Sequence, residues 1–322
     1  MKDKIFLIVK IIVSLGLMIY LYFLIDWERT INILQFVQIS RLVFIPLITL
    51  LGFVFASFRW KLLLQDNHIQ LSLIEGFWGY WLGLFYSIFL PGVIGGDVIR
   101  AGLVVNRKKC SVVTSATIVL MERMIGVIVL FLTMAMILLI APETVTALIG
   151  ASNRFHLTKT AIVIFVLMGI FLIGRTCWPK FLERFGQNKL ANYVNKPLII
   201  LSSISRKSLI ISMLLSFLFE AADIFTVIFL AQALGIELPF LFFFVIMPIV
   251  YVITILPISL GGLGVREGVF VFLLSQTNIQ PSDAVTLSFL IYINRIFVGG
   301  IAGIIQVINS MTNKAAKQKL NY

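Results

Sequence analysis

Two short stretches of this 322-residue chain carry the same residue types in the same register. "LPGVIGGDVIR" runs from Leu90 to Arg100, and "LPISLGGLGVR" runs from Leu256 to Arg266. In each, a proline lies nine residues before an arginine, Pro91 before Arg100 and Pro257 before Arg266, with paired glycines between them. Proline removes a backbone donor and glycine permits tight turns, so each stretch is expected to end one helix and open another. The unpaired N–H groups and the dipole of the new helix favour an anion. Arg100 and Arg266 come about one turn later, which brings a cation and backbone donors toward one point. That chemistry suits a phosphate or carboxylate. The candidate binding residues are Gly95, Gly96, Asp97 and Arg100 in the first motif, and Gly261, Gly262, Arg266 and Glu267 in the second.

Further ionisable residues interrupt apolar sequence. Glu122 and Arg123 split "ATIVLMERMIGVIVLF", and Arg295, which splits "LIYINRIFVGGIAG", reads as their counterpart in the second half. Glu220 and Asp223 are three residues apart, on one face of a helix. Ionisable side chains inside a membrane mark functional paths, yet buried charges are paired whatever else they do. The alternative to a translocation path is therefore a set of ion pairs, Asp97 or Glu122 with Arg123 and Glu220 or Glu267 with Arg295. Gly76, Gly79 and Gly83 have the spacing of close helix packing and read as structural.

Composition determines what must position these residues. Hydrophobic residues make up 60% of the chain and charged residues 12%, with a mean hydropathy of +1.05. A soluble chain carries about 25% charged residues, so the class is an all-α polytopic membrane protein. The net charge of +12 then reflects loops around spans. Its Lys and Arg residues are scattered between apolar segments, which argues against a nucleic-acid groove. Cys110, Cys177, His68 and His156 are isolated, so neither a disulfide framework, a metal site nor a cofactor is expected. The N-terminal run ends in "DWERT" rather than a cleavage site and reads as a retained span.

Six segments are expected to cross completely: Ile5–Ile25, Leu42–Leu64, Val112–Ile140, Thr160–Cys177, Leu209–Leu234 and Ala284–Ile308. Two more, Ile74–Leu90 and Leu238–Leu256, run into the Leu-Pro motifs and read as re-entrant hairpins, giving eight transmembrane segments by hydropathy. With both treated as hairpins, 18 Lys and Arg residues fall on the side of the termini and 4 on the other, with Arg59 and Arg100 among the 18. The positive-inside rule then makes both termini cytoplasmic. It also makes residues 1–158 and 159–322 two repeats of inverted topology, the arrangement of many secondary transporters. Residues 178–207 read as a cytoplasmic interfacial segment, with Trp178, Phe181 and Phe185 against Lys180, Arg184 and Lys189.

"FLPGVIGGDVIRAGLVVNRKK", "SATIVLMERMIGVIVL" and "LPISLGGLGVREGVF", in this order, resemble the flippase-like domain of the lysylphosphatidylglycerol synthase transmembrane family. That family includes the membrane half of the bacterial multiple peptide resistance factor. The resemblance covers essentially the whole chain. It falls on Pro91, Gly95, Gly96, Asp97, Arg100, Glu122, Arg123, Pro257, Gly261, Gly262, Gly264, Arg266 and Glu267. It implies a bacterial or archaeal cytoplasmic-membrane protein that moves an amphiphilic lipid between leaflets. The sequence stops at Tyr322 without the soluble aminoacyl-transfer domain of full-length synthases, so lysyl transfer is not expected.

The expectation is thus a non-enzymatic translocator of an anionic or amphiphilic lipid, with membrane lipids as its partners. Two alternatives stay open. One is a small-anion transporter on the same inverted repeat. The other is a non-catalytic subunit that supports a lipid-modifying enzyme or glycosyltransferase. Homo-oligomerisation is also left open.

Overall fold

The apolar segments fold as helices. The computed structural model describes residues 39–89, 95–108, 110–141, 203–255, 264–277 and 279–319, together with Glu28 and Ile200. Among these residues there are eight helices and no strand. They are α1 (Ile39–Gln65), α2 (Leu73–Phe89), α3 (Gly95–Lys108), α4 (Val112–Ile140), α5 (Arg206–Ala233), α6 (Phe240–Ile255), α7 (Val265–Ser275) and α8 (Pro281–Lys319). Four stretches are long and apolar enough to cross a bilayer: Phe44–Gln65, Val112–Ile140, Arg206–Ala233 and Pro281–Thr312. This is a helical, multi-pass membrane protein.

Helix ends follow local chemistry. Ser111 Oγ accepts from Thr114 N at 3.0 Å and opens α4 at Val112, where hydropathy placed it. Ser205 caps α5 through Ser208 N, so that helix starts at Arg206 rather than Leu209. Ser72 and Glu75 form a reciprocal capping box before α2. α8 continues to Lys319 rather than stopping at Ile308, because "NKAAKQK" is polar but strongly helix-forming. The expected spans Ile5–Ile25 and Thr160–Cys177, and the interfacial segment 178–207 apart from Ile200 and 203–207, lie outside the described residues.

The two segments that run into the motifs are short. At 1.5 Å per residue, α2 and α3, of 17 and 14 residues, are about 26 and 21 Å long. On the same rise α6 and α7, of 16 and 11 residues, are about 24 and 17 Å. All four fall short of the roughly 30 Å hydrocarbon core. α2 and α3 run antiparallel: Gly83 meets Gly96 and the Cγ of Arg100, while Gly79 lies near Leu103. α1 and α5 are also antiparallel. Gly52 faces Ala222 and Phe219, Arg59 reaches Ser216, and Asp66 accepts from Ser205 N and Ser208 Oγ.

Around the α1–α5 pair, α1 packs on α2, α4 and α8, and α5 packs on α6, α8 and α4. α2 packs on α3 and α8, α6 on α7 and α4, α3 on α4, and α7 on α8. Among the described residues two large apolar cores result, with two smaller clusters around Met134 and Leu138 and around Phe53 and Leu84. One gathers Trp60, Leu63, Val104, Ile118 and Ile125 at the C-terminal end of α1. The other gathers Ile45, Ile228, Phe243, Phe270 and Leu287 at the opposite end.

Not every glycine is under packing pressure. A Cβ on Gly102 or Gly268 would meet nothing within 4 Å, and both lie inside helices. Gly268→Ala should therefore stabilise the purified protein by about 0.5–1 kcal/mol, read as a raised midpoint of thermal unfolding in detergent.

Candidate functional site

The first motif opens α3, with Gly95 and Gly96 in its first turn. Gly96 has a structural reason of its own, since a Cβ there would overlap the backbone O and C of Gly83. One turn later Arg100, 5% exposed, donates from Nη1 to Glu122 Oε2 at 3.0 Å and from Nη2 to Asp97 Oδ1. Its guanidinium lies 4.0 Å from the centre of the Tyr80 ring and 5.2 Å from that of Trp60. Such cation–π contacts hold an arginine's plane without consuming its donors.

Glu122 is fully buried at the hub of the cluster. Its Oε1 accepts from Arg59 Nε at 3.1 Å and from the Tyr80 hydroxyl, while Oε2 serves Arg100. Arg59 completes its bonding with Nη1 to Ser216 Oγ at 2.7 Å and Nη2 to Tyr80 Oη at 3.4 Å, and Phe219 lies beneath its plane. Asp97 bridges Arg100 and Arg123 through its two oxygens. Five helices, α1 to α5, thus contribute to one charged network.

Glu220 lies beside this network on α5, 6% exposed, with no hydrogen-bond partner for Oε2. Its Oε1 and Arg59 Nη1 flank Gly126 of α4, 3.2 and 3.8 Å from where a methyl would sit. Asp223, one turn on, accepts from the Tyr251 hydroxyl of α6. Arg295 is exposed on α8.

The second motif is built differently. Gly264 holds φ at +80°, in the left-handed region that suits glycine, and its N–H donates to Glu267 Oε2 at 2.7 Å. Arg266, 7% exposed, donates from Nη2 to Glu267 Oε1 at 2.6 Å and from Nε to Ser288 Oγ at 2.9 Å, with Tyr292 under its plane. A carboxylate of the chain itself therefore sits at the N-terminus of α7, where a bound anion was expected. Pro91, Pro257, Gly261 and Gly262 lie outside the described residues.

Several sequence readings need correction. Arg59 and Arg100 were counted as aqueous loop charges; both are buried, because Glu122 and the aromatic rings compensate them inside the bundle. Of the two partners expected for Arg123, Asp97 is the one it meets, while Glu122 meets Arg59 and Arg100. Glu267 meets its neighbour Arg266 in place of Arg295. Arg100 reaches Glu122 and Arg266 reaches Ser288, each 22 residues downstream. Aligning the two halves on their arginines could have found Ser288. No comparable signal pointed to Tyr80, Ser216, Tyr251 or Tyr292.

Comparison with curated proteins finds no match for the chain. The family comparison does find one. A family model matches residues 7–303, a span that contains the Arg59–Arg100–Glu122 network, Arg266 and Glu267, and on that match the chain belongs to the family described as the lysylphosphatidylglycerol synthase TM region.

Proposed function

We propose that the chain moves an anionic or amphiphilic lipid between leaflets, binding its phosphate at the arginine network while the tails stay in the bilayer. The family is a membrane domain linked to lipid handling, which supports this reading. One observation carries it: three arginines, Arg59, Arg100 and Arg123, converge on two carboxylates, Asp97 and Glu122, at the opening of a short helix. Each carboxylate is shared between two cations, so an entering phosphodiester can take the place of either one. Arg266 and Glu267 form a second, neutral station. The reading assigns no group transfer to this chain.

Inverted repeats are part of the proposal. Exchanging α1–α4 with α5–α8 maps α1 on α5 onto itself and every other principal helix contact onto another: α2 on α8 becomes α6 on α4, and α1 on α8 becomes α5 on α4. α1 and α5, related by that exchange, run antiparallel, as an axis in the membrane plane requires. The short pairs α2–α3 and α6–α7 are then hairpins dipping in from opposite faces. In this reading both termini are cytoplasmic and the membrane is the cytoplasmic membrane of a bacterium or archaeon.

The test is leaflet exchange of fluorescent phosphatidylglycerol in reconstituted vesicles, read by dithionite quenching. Arg100→Ala and Arg266→Ala are each expected to slow exchange at least tenfold, since each removes a charge-assisted bond worth about 1.5–3 kcal/mol. Exchange at the wild-type rate in both, with both variants eluting as folded protein, ends the reading. Wild-type vesicles that exchange no lipid but take up dimethyl phosphate would favour the small-anion alternative.

A further inference from the structure

We propose that Ser288, Tyr292 and Glu267 are positioning residues, which hold Arg266 so that its Nη1 amino group meets the phosphate of the headgroup. The proposal rests on the second station of the reading above and concerns how that station binds. It gives Glu267 the task of orienting the arginine rather than touching the ligand.

Hydrogen bonding sets Arg266 apart from the other buried arginines. Arg59 spends all three guanidinium nitrogens, on Glu122, Ser216 and Tyr80. Arg100 gives both amino groups to carboxylates, those of Glu122 and Asp97. Arg266 is held along one edge, with Nη2 on Glu267 Oε1 at 2.6 Å and Nε on Ser288 Oγ at 2.9 Å. The ring centre of Tyr292 lies 5.3 Å from its guanidinium carbon and covers one face. Nη1 has no hydrogen-bond partner among the described residues and is not sealed off, so it is the end that an anion can meet.

The holders are themselves fixed. Ser288 donates its proton to Glu267 Oε1 at 3.1 Å, which leaves its lone pairs for Arg266. The other oxygen of Glu267 is tied to the Gly264 N–H at the start of α7. Ser288 and Glu267 are both 0% exposed, and Tyr292 follows Ser288 by one turn of α8. Two contacts on the edge and one on the face fix the plane of a guanidinium.

The consequence is a different mode of binding at the two stations. At Arg100 a phosphate must replace a carboxylate, whereas at Arg266 it can add to a free amino group while Glu267 stays in place. A phosphodiester monoanion offers non-bridging oxygens to the N–H bonds of Nη1. When it leaves, Arg266 still has its carboxylate, so no buried charge is stranded.

Leaflet exchange of fluorescent phosphatidylglycerol tests this, measured over a range of labelled-lipid mole fractions so that half-saturation and maximal rate are separated. Ser288→Ala and Tyr292→Leu should each raise the half-saturating fraction about three- to tenfold and leave the maximal rate nearly unchanged. Tyr292→Phe, which keeps the ring face, should behave as wild type. Arg266→Lys, a cation without the fork, should lose as much as Arg266→Ala. In an Arg266→Ala background Ser288→Ala should add nothing, because it acts through the arginine. Tyr292→Leu in the same background gives the same test should the serine variant fail to fold. A full further loss in that background, or wild-type half-saturation in both single variants, overturns the positioning and leaves the second station standing. Exchange that Arg266→Ala does not slow overturns the station and the positioning together. The same pattern in dimethyl phosphate uptake, with lipid exchange unaffected, assigns the Nη1 contact to a small solute.

Discussion

Glu122→Ala should destabilise the protein by about 3–5 kcal/mol, the range found when one partner of a buried ion pair is removed. The residue is 0% exposed and neutralises both Arg59 and Arg100, themselves 5% exposed. Truncation strands two guanidinium groups in a low-dielectric interior and leaves the Tyr80 hydroxyl without its acceptor. Asp97 can still hold Arg100, but Arg59 keeps hydrogen bonds only to Ser216 and Tyr80, neither of them charged, with the Glu220 carboxyl nearby across Gly126. Thermal unfolding in detergent, followed by tryptophan fluorescence, should show a midpoint several degrees lower. The double variant Glu122→Ala/Arg59→Ala should recover part of the loss, because it removes one of the stranded charges. A wild-type midpoint in Glu122→Ala would mean that the arginines are not enclosed as described.

Gly96→Ala is the second large effect. The added methyl would lie inside contact distance of the Gly83 carbonyl O and C, so the obstacle is backbone and no rotamer can relieve it. α2 and α3 must part, at a cost of roughly 3 kcal/mol, the upper end for overpacking. The displacement also reaches the site, because the Cγ of Arg100 leans on Gly83. Leaflet exchange should therefore fall along with stability. Gly102→Ala on the same helix, with open space around it, should leave exchange unchanged and raise stability by up to about 1 kcal/mol. If both alanine variants behave alike, the close approach of α2 and α3 is wrong. Gly303→Ala offers a milder comparison, since its methyl would meet the Phe85 ring, a side chain that can turn aside.

Much of the fold was legible in the order of residues alone. α4 runs from Val112 to Ile140 as hydropathy placed it, because a long apolar run between a serine cap and polar sequence has few other options. The break between α2 and α3 was legible from Leu-Pro and Gly-Gly, since backbone stereochemistry is a local property. Where the expected boundaries were off, local detail was the reason: a serine cap moved the start of α5, and a helix-forming tail extended α8.

The site was legible only in part. The two motifs marked Arg100 and Arg266 as unusual, and the residues between Asp97 and Arg123 do meet. Arg59 was read as a loop charge because, from sequence, an arginine near the end of an apolar run looks like a flank of the span. Whether it points to water or to Glu122, 63 residues away, depends on how α1 and α4 rotate against each other.

Composition, hydropathy and backbone stereochemistry were enough to make this chain a helical membrane protein with two interrupted segments, because each acts over a few residues. Which carboxylate balances which arginine was decided only by the packed bundle. Ion pairing depends on distance in space, and α1 brings Arg59, α4 brings Glu122 and α5 brings Glu220 to one point from widely separated parts of the chain.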